Sequence, residues 1–119
     1  MNQIILVGRP GREPETKNTP SGAKVVTISL GVDRRGKNNT KETDWIDCTA
    51  WGQTADFVEK YVRKGERIGI IGSLQTRTWQ SQDGQNRKAY FVLVDKVELL
   101  GSKSDSKPDE ESGEVPFEV

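Results

Sequence analysis

The run Thr43-Asp44-Trp45-Ile46-Asp47-Cys48-Thr49-Ala50-Trp51 decides the fold. Side chains on a strand alternate between faces, so Ile46, Cys48 and Ala50 fall on one side and Trp45, Asp47, Thr49 and Trp51 on the other. The large aromatics travel with the polar residues. A small domain turns its biggest apolar side chains inward, and only a strand covered on both faces would hide this set as well. Rings on the polar side therefore point to a surface on which flat groups stack. The segment from Arg67 to Trp79 repeats the pattern. Ile68, Ile70 and Leu74 take the inward parity, while Ser73, Gln75, Arg77 and Trp79 share the other face.

Upstream of the deciding strand, the apolar run Ile4 to Val7 stops at Gly8-Arg9-Pro10-Gly11, which reads as a turn, and Thr19-Pro20-Ser21-Gly22 as a second. Val26, Ile28, Leu30 and Val32 then alternate with Thr27, Ser29, Gly31 and Asp33 as a half-buried strand. Arg34 to Lys41 makes a polar, basic hairpin loop. Downstream of Gly52 the period becomes helical, with Ala55, Val58 and Val62 on one face. Lys60, Arg63 and Lys64 occupy the expected last turn, and Gly65 the position after it. A strand to Gln80, a turn at Asp83-Gly84 and a last strand from about Arg87 to Leu100 follow. Gly69 and Gly72 fit sharp bending or close backbone approach.

Strand, strand, strand, helix, strand, strand is the order of the all-β, five-stranded Greek-key OB-fold barrel, with one short helix between the third and fourth strands. The predicted domain covers residues 1–101. From residue 102 to 119 the chain has no periodicity and little apolar content, which predicts a disordered acidic tail. Its end, Glu114-Val115-Pro116-Phe117 before Glu118 and Val119, puts apolar residues at the tip: either a short recognition motif or merely the end of a polar tail.

The chain is formally neutral, yet residues 1–101 hold 16 basic and 12 acidic side chains, net +4, and the tail holds 2 and 6, net −4. A basic body with an acidic tail is a pattern of chains that handle polyanions. Nucleobases offer a stackable face whatever their sequence, so Trp45, Trp51 and Trp79 are the candidate stacking residues. Arg34, Arg35, Lys37, Arg77, Arg87 and Lys88 are the candidate phosphate contacts. With no histidine and a single inward-facing Cys48, neither a metal site nor a His-based triad is expected, and no cofactor. Asp44, Asp47 and Asp56 form no acid/base pattern, so the chain does not read as an enzyme. No apolar run approaches 18 residues and the amino terminus lacks a basic leader, which predicts a cytoplasmic, nucleoid-associated protein with no membrane partner.

Several segments carry a family resemblance: Asn2 to Arg9, Glu13-Pro14-Glu15, Thr19 to Gly22, Glu42-Thr43-Asp44-Trp45, Ala50-Trp51-Gly52, Tyr61 to Gly65, Gly72 to Trp79, and Asp83-Gly84-Gln85. In this order and spacing the chain resembles the bacterial, homotetrameric single-stranded DNA-binding proteins. The resemblance implies sequence-independent binding of single strands in replication, recombination and repair, with Trp45, Trp51 and Trp79 at base-stacking positions. It also implies a homotetramer, and a tail tip that docks replication, recombination and repair proteins. Two departures stand out. Asp33-Arg34-Arg35-Gly36 occupies a region where many members carry another stacking aromatic, and Glu118-Val119 follow the tip Phe117.

Overall fold

The structure is a computed structural model and describes residues 1–101. The tail, with Glu114, Val115, Pro116 and Phe117, lies outside the described residues. Six strands and one helix follow in order: β1 (Ile4–Pro10), β2 (Glu15–Asn18), β3 (Lys24–Arg35), β4 (Lys41–Trp51), α1 (Gly52–Tyr61), β5 (Ile68–Gln80) and β6 (Asn86–Leu99). The sheet order β1-β5-β6-β4-β3 closes on itself through β1–β3, which gives the five-stranded OB barrel. Neighbours are antiparallel except β4 and β6, which run parallel at Cys48↔Val92 and Thr49↔Leu93. The short β2, not anticipated from sequence, pairs with β3 from Glu15↔Thr27 to Asn18↔Lys24. Its residues, Glu-Thr-Lys-Asn, carry no apolar alternation because it is an edge with little to bury.

The core is the inward parity of the strands. Val26, Ile28, Leu30, Cys48, Ala50, Ile68, Ile70 and Val92 are fully buried, and Ala55, Val58 and Val62 close one end of the barrel. Val94 and Val97 are both inside although three residues apart, because a bulge leaves Asp95 unpaired between Gly72↔Val94 and Ile71↔Lys96. Gly72 sits at that bulge, where an added Cβ would come 2.1 Å from the Leu93 carbonyl oxygen. Gly69 meets no such constraint, its nearest neighbour being 3.6 Å away.

Three sequence readings are corrected. Gly8-Arg9-Pro10 belongs to β1 rather than to a turn, since Arg9↔Gly31 and Pro10↔Leu30 form the closure with β3. Gly8 allows that crossing, because a Cβ there would lie 2.3 Å from the Gly31 oxygen. The helix ends at Tyr61, and Val62 turns extended to enter the core. Arg63 then lies beyond the helix, and its guanidinium donates to the carbonyls of Glu59, Val62 and Lys60, capping the orphan acceptors of the last turn. Gly65 (φ 82°) donates to the Pro10 carbonyl instead of capping the helix. Leu74, assigned inward, is 45% exposed, because beyond it β5 and β6 leave the barrel as a free two-stranded arm.

Candidate nucleic-acid interface

The alternation of β4 is preserved in three dimensions. Trp45 is 60% exposed, Trp51 47% and Trp79 46%, whereas Cys48 and Ala50 between the first two are fully buried. Trp45 and Trp51 are six residues apart on one strand, or about 20 Å. Their cross-strand partners are small or short, Gly31 for Trp45 and Val25 for Trp51, with Ser29 and Thr27 between. The six-membered ring of Trp45 rests against glycine backbone. A Cβ on Gly31 would lie 2.8 Å from its Cζ3 atom, and one on Gly11 2.5 Å. The same indole walls a groove of about 440 Å3 that also holds Arg9, Asp33 and Arg67.

Trp51 is the last residue of β4, immediately before α1. Nearby, Lys24 ties β3 to that helix through Asp56 at 2.8 Å and Glu59 at 2.6 Å, and those two bonds hold its amine above the ordinary lysine range. Trp79 stands near the end of the β5–β6 arm, with the Arg77 guanidinium 5.6 Å from its ring and Arg87 opposite it in register. The arm ends in a turn fixed by Gly84 (φ 84°) and by Asp83, which accepts from Ser81 and from the Gln85 amide; both bonds hold its carboxyl below the ordinary range.

The basic candidates divide by face. Arg35 shares the outward parity of Trp45, donates to the Asn39 side chain at 3.3 Å, and is followed by Lys37 in a single 3₁₀ turn (Lys37–Asn39). Asn38 and Asn39 take positive φ there, as asparagine tolerates. Arg34 takes the opposite parity, that of Leu30, and is bound by Glu42 and Asp44, each at 2.9 Å. Arg77 and Arg87 share the Trp79 face, Arg87 lying 3.6 Å from Asp83. Lys88 lies on the reverse of the arm, 6.0 Å from the Tyr90 ring.

Two features were missed from sequence. Tyr90 is 61% exposed beside Lys88, although its parity with Val92 reads as core. The signal was the weak apolar content of Arg87 to Ala89, which marks where the arm leaves the barrel. Arg9 and Arg67 beside Trp45 were hidden because no local pattern joins β1 to the start of β5. Cys48 is interior, and burial, then the charge of Asp47, pushes its thiol up to about 12. Among the described residues no cluster of His, Cys, Asp or Glu could hold a metal ion, and no helix is long and apolar enough to cross a membrane.

A closed OB barrel with aromatic side chains displayed along one strand and one arm is the class that this fold and surface define. The family model for the single-strand binding protein family matches residues 1–100, and the chain belongs to that family. It is 42% identical over 107 residues to single-stranded DNA-binding protein 1 of Synechocystis sp., a match spanning 89% of this chain and 88% of that one. To the single-stranded DNA-binding protein of Clostridium tetani it is 41% identical over 110 residues, covering 89% and 76%. The solved structure of a Plasmodium falciparum SSB in complex with single-stranded DNA superposes with a TM-score of 0.75 at 34% identity, over 84% of this chain and 95% of that one.

Proposed function

We propose that this protein binds single-stranded DNA without regard to sequence, stacking bases on Trp45, Trp51 and Trp79 and drawing phosphates to nearby basic side chains. The observation that carries the reading is the exposure of all three tryptophans, Trp45 and Trp51 on the outward side of a strand whose inward side is the core and Trp79 on the arm that leaves the barrel. Stacking is worth ~1–3 kcal/mol per base, and bases in a duplex are already stacked on one another, so the preference is for single strands. Arg35, Arg77 and Arg87, on the aromatic side, are the favoured phosphate contacts, with Lys37 in the turn that follows Arg35, and Lys88 serves a strand that rounds the arm. Arg34, engaged by Glu42 and Asp44, contributes first by holding the hairpin.

A homotetramer would make contacts at successive barrels effectively intramolecular and so raise avidity. Supporting it, Ile5 and Val7 are exposed on β1, whose residues Ile4 to Gly8 pair, among the described residues, with β5 alone. The reading extends to protection of single strands during replication, recombination and repair in the cytoplasm, with the tail tip Glu114-Val115-Pro116-Phe117 recruiting partner proteins. The test is intrinsic tryptophan fluorescence during titration with an oligothymidine strand, with a matched duplex, and at several salt concentrations. Saturable quenching by the single strand alone, weakening with salt, is expected. Emission that no strand alters would reject it.

A further inference from the structure

The outward side of β4 carries one carboxylate between its two indoles. Asp47 lies two residues from Trp45 and four from Trp51 on the same parity, and it is exposed. The other acids of this hairpin are accounted for: Arg34 binds Glu42 and Asp44, and Asp33 accepts from Thr43. Among the described residues no ion pair engages Asp47. Ser29 stands opposite it in register and Thr49 opposite Thr27, so the gap between the rings is an acceptor-rich polar patch with one full negative charge.

A free carboxylate repels phosphate, and what it accepts is a hydrogen bond from a donor. Along a single strand the donors are on the base edges. Cytosine presents its N4 amino group where thymine presents the O4 oxygen, an acceptor like the carboxylate itself. We propose that Asp47 discriminates among bases, accepting from amino-bearing edges between Trp45 and Trp51 and disfavouring thymine there. The inference rests on the single-strand-binding reading and gives it a local base preference: the strand is held by stacking at two points and inspected at the gap.

The test compares oligo-dC with oligo-dT of equal length, pyrimidines of like charge and stacking area, on the full chain and on Asp47→Asn. The asparagine amide both donates and accepts, so it serves either base. Asp47→Asn is expected to tighten binding of oligo-dT more than of oligo-dC, lowering the ratio Kd(dT)/Kd(dC) about fivefold, the low end for one such contact. Asp47→Ala, which removes the charge without supplying a donor, should move the ratio in the same direction. Equal tightening of both strands would make Asp47 a simple repulsive charge and overturn the proposal. Failure of the unaltered chain to bind either strand would instead reject the single-strand reading, and the proposal with it.

Discussion

Trp45→Ala separates stacking from charge. The indole is 60% exposed, so of the roughly 250 Å2 such a side chain offers about 100 Å2 is withdrawn from water, an upper bound near 2–3 kcal/mol of folding stability. The barrel core is untouched, because Cys48 and Ala50 face the other way. On binding, the lost stacking partner is worth ~1–3 kcal/mol, a weakening of about 5- to 150-fold for an oligothymidine that engages one barrel. No charge is removed, so the line of log Kd against log salt should shift while its slope stays the same. Fluorescence anisotropy at several salt concentrations, with circular dichroism to establish folding, measures both. A folded Trp45→Ala protein that binds within about twofold of the unaltered chain, or whose slope falls, would refute the assignment of Trp45 to stacking.

Gly31→Ala should reproduce part of that loss without touching the ring chemically, since its Cβ would lie 2.8 Å from Trp45 Cζ3 and 3.0 Å from Cη2; affinity should drop several-fold in the same titration, about 1 kcal/mol. Arg34→Ala and Arg35→Ala should part company. The first loosens an exposed hairpin by less than about 1 kcal/mol, read as a small drop in melting temperature with the salt slope kept, and the second flattens the slope by about 0.7, one phosphate contact. Cys48 keeps its proton to about 12 in the folded state, against 9.0 ordinarily. Between those values the unfolded chain binds fewer protons, so stability should fall with rising pH, at no more than ~1.4 kcal/mol per unit. Denaturant titrations from neutral to alkaline pH should show Cys48→Ala losing that part of the decline, and the native thiol should resist alkylation at neutral pH.

The period-2 signal read β3 and β4 well because each has one wet face and one dry face. Val26, Ile28 and Leu30 on β3 and Ile46, Cys48 and Ala50 on β4 obey it without interruption, and the exposure of Trp45 and Trp51 follows from the same rule. The signal weakens where tertiary geometry intervenes. On β6 the bulge at Asp95 shifts the parity, so Val97 is buried out of step with Val92 and Val94. Beyond Leu74 the arm has no dry face at all, and parity ceases to mean burial for Leu74 and Tyr90. Gly8-Arg9-Pro10 looks like a turn because glycine and proline punctuate most chains. Here they form a strand end pressed so closely on β3 that only glycine fits. The division of the arginines was partly available, since adjacent residues on a strand face opposite ways, but only the extension of β3 to Arg35 and of β4 from Lys41 shows that the alternation runs that far.

The barrel closes through only two residue pairs between β1 and β3, Arg9↔Gly31 and Pro10↔Leu30, as few as join β4 to β6, while β3–β4 and β5–β6 are laced along most of their lengths. That seam is one of the two short contacts at which the cylinder can open, and the indole of Trp45 lies against it, resting on Gly31 and Gly11. A base stacked there would fasten the seam from outside, so ligand occupancy and barrel opening become one linked equilibrium. Amide exchange at Gly11, which donates to the Ser29 carbonyl, is where the linkage would register first, slowing as single strands fill the surface. A chain without cargo would then breathe at the same line where it takes cargo on, and each strand it carries would lend the carrier some of its own durability.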